Sequence, residues 1–318
     1  MTRLKVLLAV LIWGASFAFT KRALAEVSPL ALVLARCGLG SIVMLALTRE
    51  PGLFRGLRPR DWIQLSAVSL SGVVGQQVIQ AFALRQTSAN HAGWILAATP
   101  IVVALAMAAI FGERMGWRSW SGFALGAAGT LLVVFSRQTV SGVGLVATQR
   151  GDSLFTASCF NWAFYVVMMD RWPGSRPQRT VTVLSMVMGF GFMAAACLAG
   201  GQWRELGHVS PGGWLCLGYL GALSSAVGYL FWNAGVEEIG PSATSAFLYL
   251  EPLAALTAGR LMLGEGIAAK AVAGGALILA GVYWVNAGRR RYWKFRRHRP
   301  DELPYGRRRL PAAPEEAA

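Results

Sequence analysis

ATPIVVALAMAAIFGE, residues 98–113, is echoed by LEPLAALTAGRLMLGE, residues 250–265, and this doubled text decides the fold. The register between the copies never slips. Pro100, Gly112, Glu113, Gly122 and Gly129 recur 152 positions later as Pro252, Gly264, Glu265, Gly274 and Gly281. A repeat on this scale makes each half of the chain one structural unit. Each copy lies in apolar sequence that holds five hydrophobic spans. An odd number of spans turns the second copy upside down in a membrane relative to the first. Inverted repeats with helix-breaking residues at matched positions are a signature of secondary transporters.

Composition points the same way. Of 318 residues, 55% are hydrophobic and 14% charged, against about 25% charged in soluble proteins. A helix needs roughly 20 apolar residues to cross the hydrocarbon core. Spans are predicted near 4–25, 29–48, 62–84, 91–112, 118–136, 151–170, 180–200, 212–233, 241–263 and 267–288. The expected fold is an all-α integral membrane protein, with ten transmembrane helices in two inverted five-helix repeats. The first repeat covers residues 1–140 and the second 141–288; a basic, then Pro-rich tail covers 289–318. Ala23-Leu24-Ala25 resembles a signal-peptidase site, but the preceding apolar run is long and belongs to the repeat, so it reads as a retained helix. Cys37, Cys159, Cys197 and Cys216 all fall inside predicted spans without CxxC spacing or nearby histidine, which reads as buried apolar cysteine and implies no metal site.

The basic residues set an orientation. With the N-terminus in the cytoplasm, 21 Lys and Arg fall on the cytoplasmic side and seven on the outer side, as the positive-inside rule requires. Ten of the 21 lie in the tail, so the body alone gives eleven against seven. Glu237 and Glu238 are assigned to a loop between the eighth and ninth spans. The tail reads RRRYWKFRRHRP from residue 289. Directly after a membrane helix, that composition suits anionic lipid headgroups better than nucleic acid.

These residues resemble the drug/metabolite transporter superfamily, specifically its EamA type. The resemblance rests on Trp13-Gly14 with Ser16-Phe17, on Ala98 to Glu113, and on Glu251-Pro252 to Glu265, and it covers residues 4 to 288. It implies ten helices around a central cavity, both termini cytoplasmic in a bacterial-type inner membrane, and export or exchange of small metabolites. Amino acids are the cargo of bacterial relatives; sugars, nucleotide precursors and drugs are carried by others. The second half departs from the pattern with Asn161-Trp162-Ala163 where the first has Trp13-Gly14.

Several residues are candidates for carrying cargo. Glu251 falls near the middle of the ninth span, where an ionised carboxylate is costly and faces a cavity or a partner. Its repeat-mate is Thr99, so the helix itself does not demand an acid there. Two readings stand: Glu251 binds a substrate ammonium or shuttles a proton, or it forms a permanent ion pair with Arg36 of the second span. Arg36 in turn either grips a substrate carboxylate or neutralises Glu251. Ser225, Tyr229 and Asn233 form one helical stripe in the eighth span, with Trp232 beside it. Gln76, Gln77 and Gln80 in the third span, and Asn161 and Tyr165 in the sixth, are polar enough to turn inward. Substrate contact and interhelical hydrogen bonding explain them equally well. Trp13, Trp94, Trp162 and Phe247 are candidate aromatic walls, and Pro100 and Pro252 candidate helix kinks. Glu113 and Glu265 read as structural corners, and Gly122, Gly126 and Gly129 as a helix-packing face.

The leading expectation is therefore a secondary transporter of small organic solutes, amino acids or related compounds foremost, working by alternating access with proton coupling as an option. No P-loop is present and no cofactor is implied. The alternatives are an integral membrane enzyme, disfavoured by three scattered His and no HExxH or GxSxG, and a non-transporting assembly protein.

Overall fold

The structure, a computed structural model, describes residues 1–49, 52–86, 95–96, 98–111, 115–138, 149–171, 176–263 and 269–288. Among the described residues all regular structure is helical. The helices are α1 (Thr2–Ala23), α2 (Pro29–Thr48), α3 (Pro59–Gln86), α4 (Thr99–Phe111) and α5 (Trp117–Gln138). They continue as α6 (Gln149–Arg171), α7 (Gln178–Gly200), α8 (Pro211–Ile239), α9 (241–263) and α10 (Ala269–Gly288). Five of them, α1, α2, α3, α7 and α8, are long and apolar enough to cross a membrane. Ile42, Leu105, Ile110, Leu198, Leu215 and Leu279 are exposed on the outer surface of the bundle, where lipid rather than water is their natural solvent.

Helix ends follow local chemistry. Ser28 and Ser210 accept hydrogen bonds from the Ala31 and Gly213 N–H groups, and Pro29 and Pro211 occupy the first helical positions behind them. Pro59 opens α3 as Pro211 opens α8, 152 positions on, so the register of the repeat extends into this pair. One expectation needs correction. Glu237 and Glu238 lie in the last turn of α8 and not in a loop, because nothing breaks the helix before Gly240. Gly240, at φ 87°, adopts a conformation open to glycine and closed to most residues. The fourth span also differs: Ala98 is in a turn, and α4 begins at Thr99, so Pro100 sits in the first helical turn and not at a mid-span kink.

Two features lie beyond any reading of hydrophobic spacing. Helix α3 widens to a π-helix over Ser69–Gly75, and α8 does so over Tyr219–Gly228. Shifted by 152, the first segment falls at 221–227, within the second. Such widened turns occur frequently at functional sites.

The repeat also governs packing. Helix α1 packs on α9 and its counterpart α6 on α4, while α2 packs against α7. Helices α5 and α10 share the most extensive contact. There, a Cβ on Gly122 would lie 3.0 Å from the Gly281 carbonyl oxygen, and one on Gly129 would lie 2.6 Å from that of Gly274. Only glycine permits backbones this close. As the number rises along α5 it falls along α10, so the two helices run antiparallel.

Loop contacts define the two ends of the bundle. At one, Thr2 donates to Glu238, the Arg176 guanidinium to the Arg55 carbonyl (2.8 Å), and Arg179 to the Leu47 carbonyl (3.1 Å). At the other, the Ser210 N–H and hydroxyl each donate to Glu26 at 2.8 Å, and the Ser28 N–H donates to Glu205 at 2.6 Å. The four cysteines are free and buried.

Candidate functional site

An open pocket, about 550 Å³ with the solvent at its mouth included, lies between α1, α2, α3, α4, α6, α8 and α9. Its lining is paired by the repeat. Leu96 and Leu248, Thr99 and Glu251, and Gln77 and Tyr229 each stand 152 apart, and both members of every pair face the same space. Trp13 of α1 and Trp162 of α6 meet edge to face, 5.3 Å between ring centroids. The cavity thus lies where the two halves of the chain face each other.

Its chemistry is polar and charged. Glu251 and Arg36 are 7% and 8% exposed, and both line the cavity. They do not pair with each other. The Arg36 guanidinium donates to the Ser224 hydroxyl through Nη2 (3.1 Å) and to the Ser225 hydroxyl through Nε (3.3 Å). Glu251 has no hydrogen bond or ion pair to another described side chain. No ion pair joins the two side chains in this structure. A carboxylate held this way is costly unless a ligand, a proton or water meets it.

Backbone groups of the widened turns hold the walls in place. The Trp13 indole N–H donates to the Ser224 carbonyl (2.9 Å), and the Tyr229 hydroxyl to the Gly72 carbonyl (2.7 Å). Asn161 donates to the Ser71 carbonyl and to the Gln76 side chain, both at 2.9 Å. Each widened turn therefore anchors the first helix of the opposite half: α8 anchors α1 and α3 anchors α6.

Among the expected site residues, Glu251, Arg36, Tyr229, Gln76, Gln80 and Trp13 line the cavity. Asn161, Tyr165, Trp232 and Asn233 stand behind its wall. Asn233 donates to the Tyr165 hydroxyl (2.8 Å) and to Thr182 (3.0 Å), tying α8 to α6 and α7. Trp232 is wholly buried between Trp13 and Trp162. A π-helical turn carries more residues than an α-turn, so the Ser225–Tyr229–Asn233 stripe is rotated out of phase. Both Ser224 and Ser225 reach Arg36, whereas Asn233 turns away. Pro252 follows a tighter 3₁₀ stretch, Ala246–Leu250, in which the Leu248 carbonyl accepts the Glu251 N–H and so does not depend on the donor that proline lacks.

The cavity also takes in Ser16, Phe17, Gln77, Leu96, Thr99, Trp162, Ser224 and Leu248. Gln77, Trp162 and the Ser16-Phe17 pair carried a polar, aromatic or motif signal. Leu96 and Leu248 carried none except their 152-residue separation. Phe247 is buried away from the cavity. Trp94, Gly112, Glu113, Gly264, Glu265 and the tail lie outside the described residues. Among the described residues no group of His, Cys, Asp and Glu is placed to hold a metal.

The duplication of the chain has a counterpart in a known family. The model of the EamA-like transporter family matches residues 2–135 and, a second time, residues 149–287. The chain belongs to the EamA-like transporter family. It is a multi-pass membrane transporter and not an enzyme. The uncharacterized transporter YyaM of Bacillus subtilis is 25% identical, over 85% of this chain and 88% of its own. A probable terminal-alkyne amino-acid exporter of Streptantibioticus cattleyicolor is 28% identical, over 90% of this chain and 94% of its own. A crystal structure superposes with a TM-score of 0.73 over 91% of this chain and 98% of the other, at 20% identity, which speaks for the fold alone.

Proposed function

We propose that this EamA-family transporter exports or exchanges small organic metabolites, amino acids foremost, by alternating access around the cavity between its halves. One observation carries the reading: an acid and a base line the same polar space and are not neutralised by each other. A zwitterion offers each of them what it lacks. In this reading Glu251 takes the ammonium, or a coupling proton, and Arg36 takes the carboxylate. Gln76, Gln80, Tyr229 and Trp13 complete the contacts, while Asn161, Tyr165, Trp232 and Asn233 support them.

The ten helices form two five-helix repeats, 1–140 and 141–288, inserted in opposite senses. The antiparallel seam between the repeat-mates α5 and α10 supports the inversion. Arg49, Arg55, Arg58, Arg60, Arg176 and Arg179 gather at the end where α1 begins, which supports a cytoplasmic N-terminus in a bacterial-type inner membrane. The C-terminus shares that side, with the basic tail 289–318 against anionic lipid. The name of the Streptantibioticus relative supports an amino-acid cargo.

Counterflow into proteoliposomes, with each radiolabelled amino acid in turn and with or without a proton gradient, tests the proposal. Saturable exchange of at least one amino acid is expected. Exchange of none of them would overturn the amino-acid reading.

A further inference from the structure

A second buried polar group lines the cavity without a hydrogen bond of normal geometry to any described residue. Both polar atoms of the Gln77 amide lack a hydrogen-bond partner among the described residues, although the side chain is only 3% exposed. Its neighbour Gln76 accepts from Asn161, and the Tyr229 hydroxyl, which donates to the Gly72 carbonyl, lies near Gln77 without making a hydrogen bond of normal geometry to it. A buried amide without a partner costs free energy, which a bound ligand would recover. Gln77 lies two residues beyond the widened turn of α3, and its mate Tyr229 directly follows that of α8.

Arg36 faces the same space, and its guanidinium is held from behind. Adjacent residues of a π-turn are separated by a smaller rotation than in an α-helix. Two consecutive hydroxyls, Ser224 and Ser225, can therefore grip one guanidinium, through Nη2 and Nε. The remaining donors are left for the cavity, since arginine carries five N–H groups. Ser224 also fixes Trp13 through its carbonyl, so one residue sets two walls.

We propose that Arg36 and Gln77 form a carboxylate-binding subsite, with Ser224 and Ser225 as the positioning residues that aim the guanidinium into it. This deepens the reading of amino-acid transport and rests on it. The cargo's carboxylate accepts from the free guanidinium N–H groups and from the Gln77 amide N–H, while Glu251 on α9 is left for the positive end. Hydrogen bonds of this charge-assisted kind are among the strongest a site can offer.

Matched probes isolate the carboxylate. L-Phenylalanine, L-phenylalaninamide and phenethylamine share a ring and an amine, and L-leucine with L-leucinamide repeats the test without the ring. Binding to the purified full chain is measured by calorimetry and by competition in the counterflow assay. The wild type is expected to prefer each acid over its amide by about tenfold or more. Arg36→Lys and the double variant Ser224→Ala/Ser225→Ala should shrink that ratio towards one while amide binding persists, a pattern that general loss of packing does not produce. Gln77→Glu provides a second arm, because its added charge should repel the acids and spare the amides within one folded protein. Equal affinity of the wild type for acid and amide overturns the subsite and leaves amino-acid transport intact. An acid preference that survives in Gln77→Glu and in the double serine variant overturns it as well. Binding and flux of neither acids nor amides overturns both readings together.

Discussion

The seam between α5 and α10 and the cavity between α3, α4, α8 and α9 are both built from repeat-mates, yet they have diverged in opposite ways. At the seam two glycine pairs are identical, Gly122 with Gly274 and Gly129 with Gly281, although Gly126 is mated with Ile278. Each glycine meets the backbone of the other's mate, so any side chain added to one copy collides with the second. In the cavity the polar mates differ, Thr99 against Glu251 and Gln77 against Tyr229, while Leu96 and Leu248 match. A small solute has no two-fold symmetry for a symmetric site to match. Duplication built a symmetric frame, and the two copies are free to differ where they face the cavity.

The largest effect should come from breaking the seam. A side chain at Gly281 would place Cβ 2.6 Å from the Gly122 carbonyl oxygen and 2.7 Å from the Gly126 nitrogen. Gly281→Leu is expected to lose at least the ~1–3 kcal/mol typical of overpacking, read as lost monodisperse protein or a lower melting temperature in detergent. Gly122→Leu should do the same, and a normal melt for either would show that the close approach is not required. The cavity should answer differently. Glu251→Gln is expected to keep the fold and cut amino-acid counterflow at least tenfold (about 1.4 kcal/mol), whereas Thr99→Val at the mated position costs less than threefold. Equal losses would mean that the cavity is as symmetric as the seam.

The smallest effect belongs to the loop at the end of the bundle opposite the arginines. The Ser210 backbone N–H and then its hydroxyl hold the Glu26 carboxyl below its ordinary value of 4.5, with Arg22 adding to the effect. A depressed folded-state value stabilises above the unfolded value and loses that contribution as pH falls through the folded one. Wild type and Glu26→Gln should therefore differ slightly in melting temperature near neutral pH and converge under acid. A difference that grew with acid would contradict the contact.

Much of the frame was legible in the residues. Predicted spans coincide with α1, α2, α7 and α9 to within a few residues, because apolar run length is a local property. The helix starts at Pro59 and Pro211 lie ahead of the apolar runs and were not read from them. Glu237 and Glu238 were misplaced because a pair of acids looks like a loop, while the true stop is Gly240. The cavity was legible in part. Charge inside an apolar span picked out Glu251 and Arg36, which do face it. Polarity alone did not separate Gln77, which faces the cavity without a partner, from Asn161 and Asn233, which are consumed by hydrogen bonds to other helices.

The chain by itself determines that it is duplicated, that it belongs in a membrane, and which glycines and prolines its halves share. Those facts follow from composition and spacing along one strand of text. Only the tertiary structure decides that Arg36 binds two serines and not Glu251, that the two widened turns coincide, and which amides remain free. Each of those outcomes depends on the rotation of one helix against another, and a single π-turn changes that rotation without leaving a mark in hydrophobic periodicity.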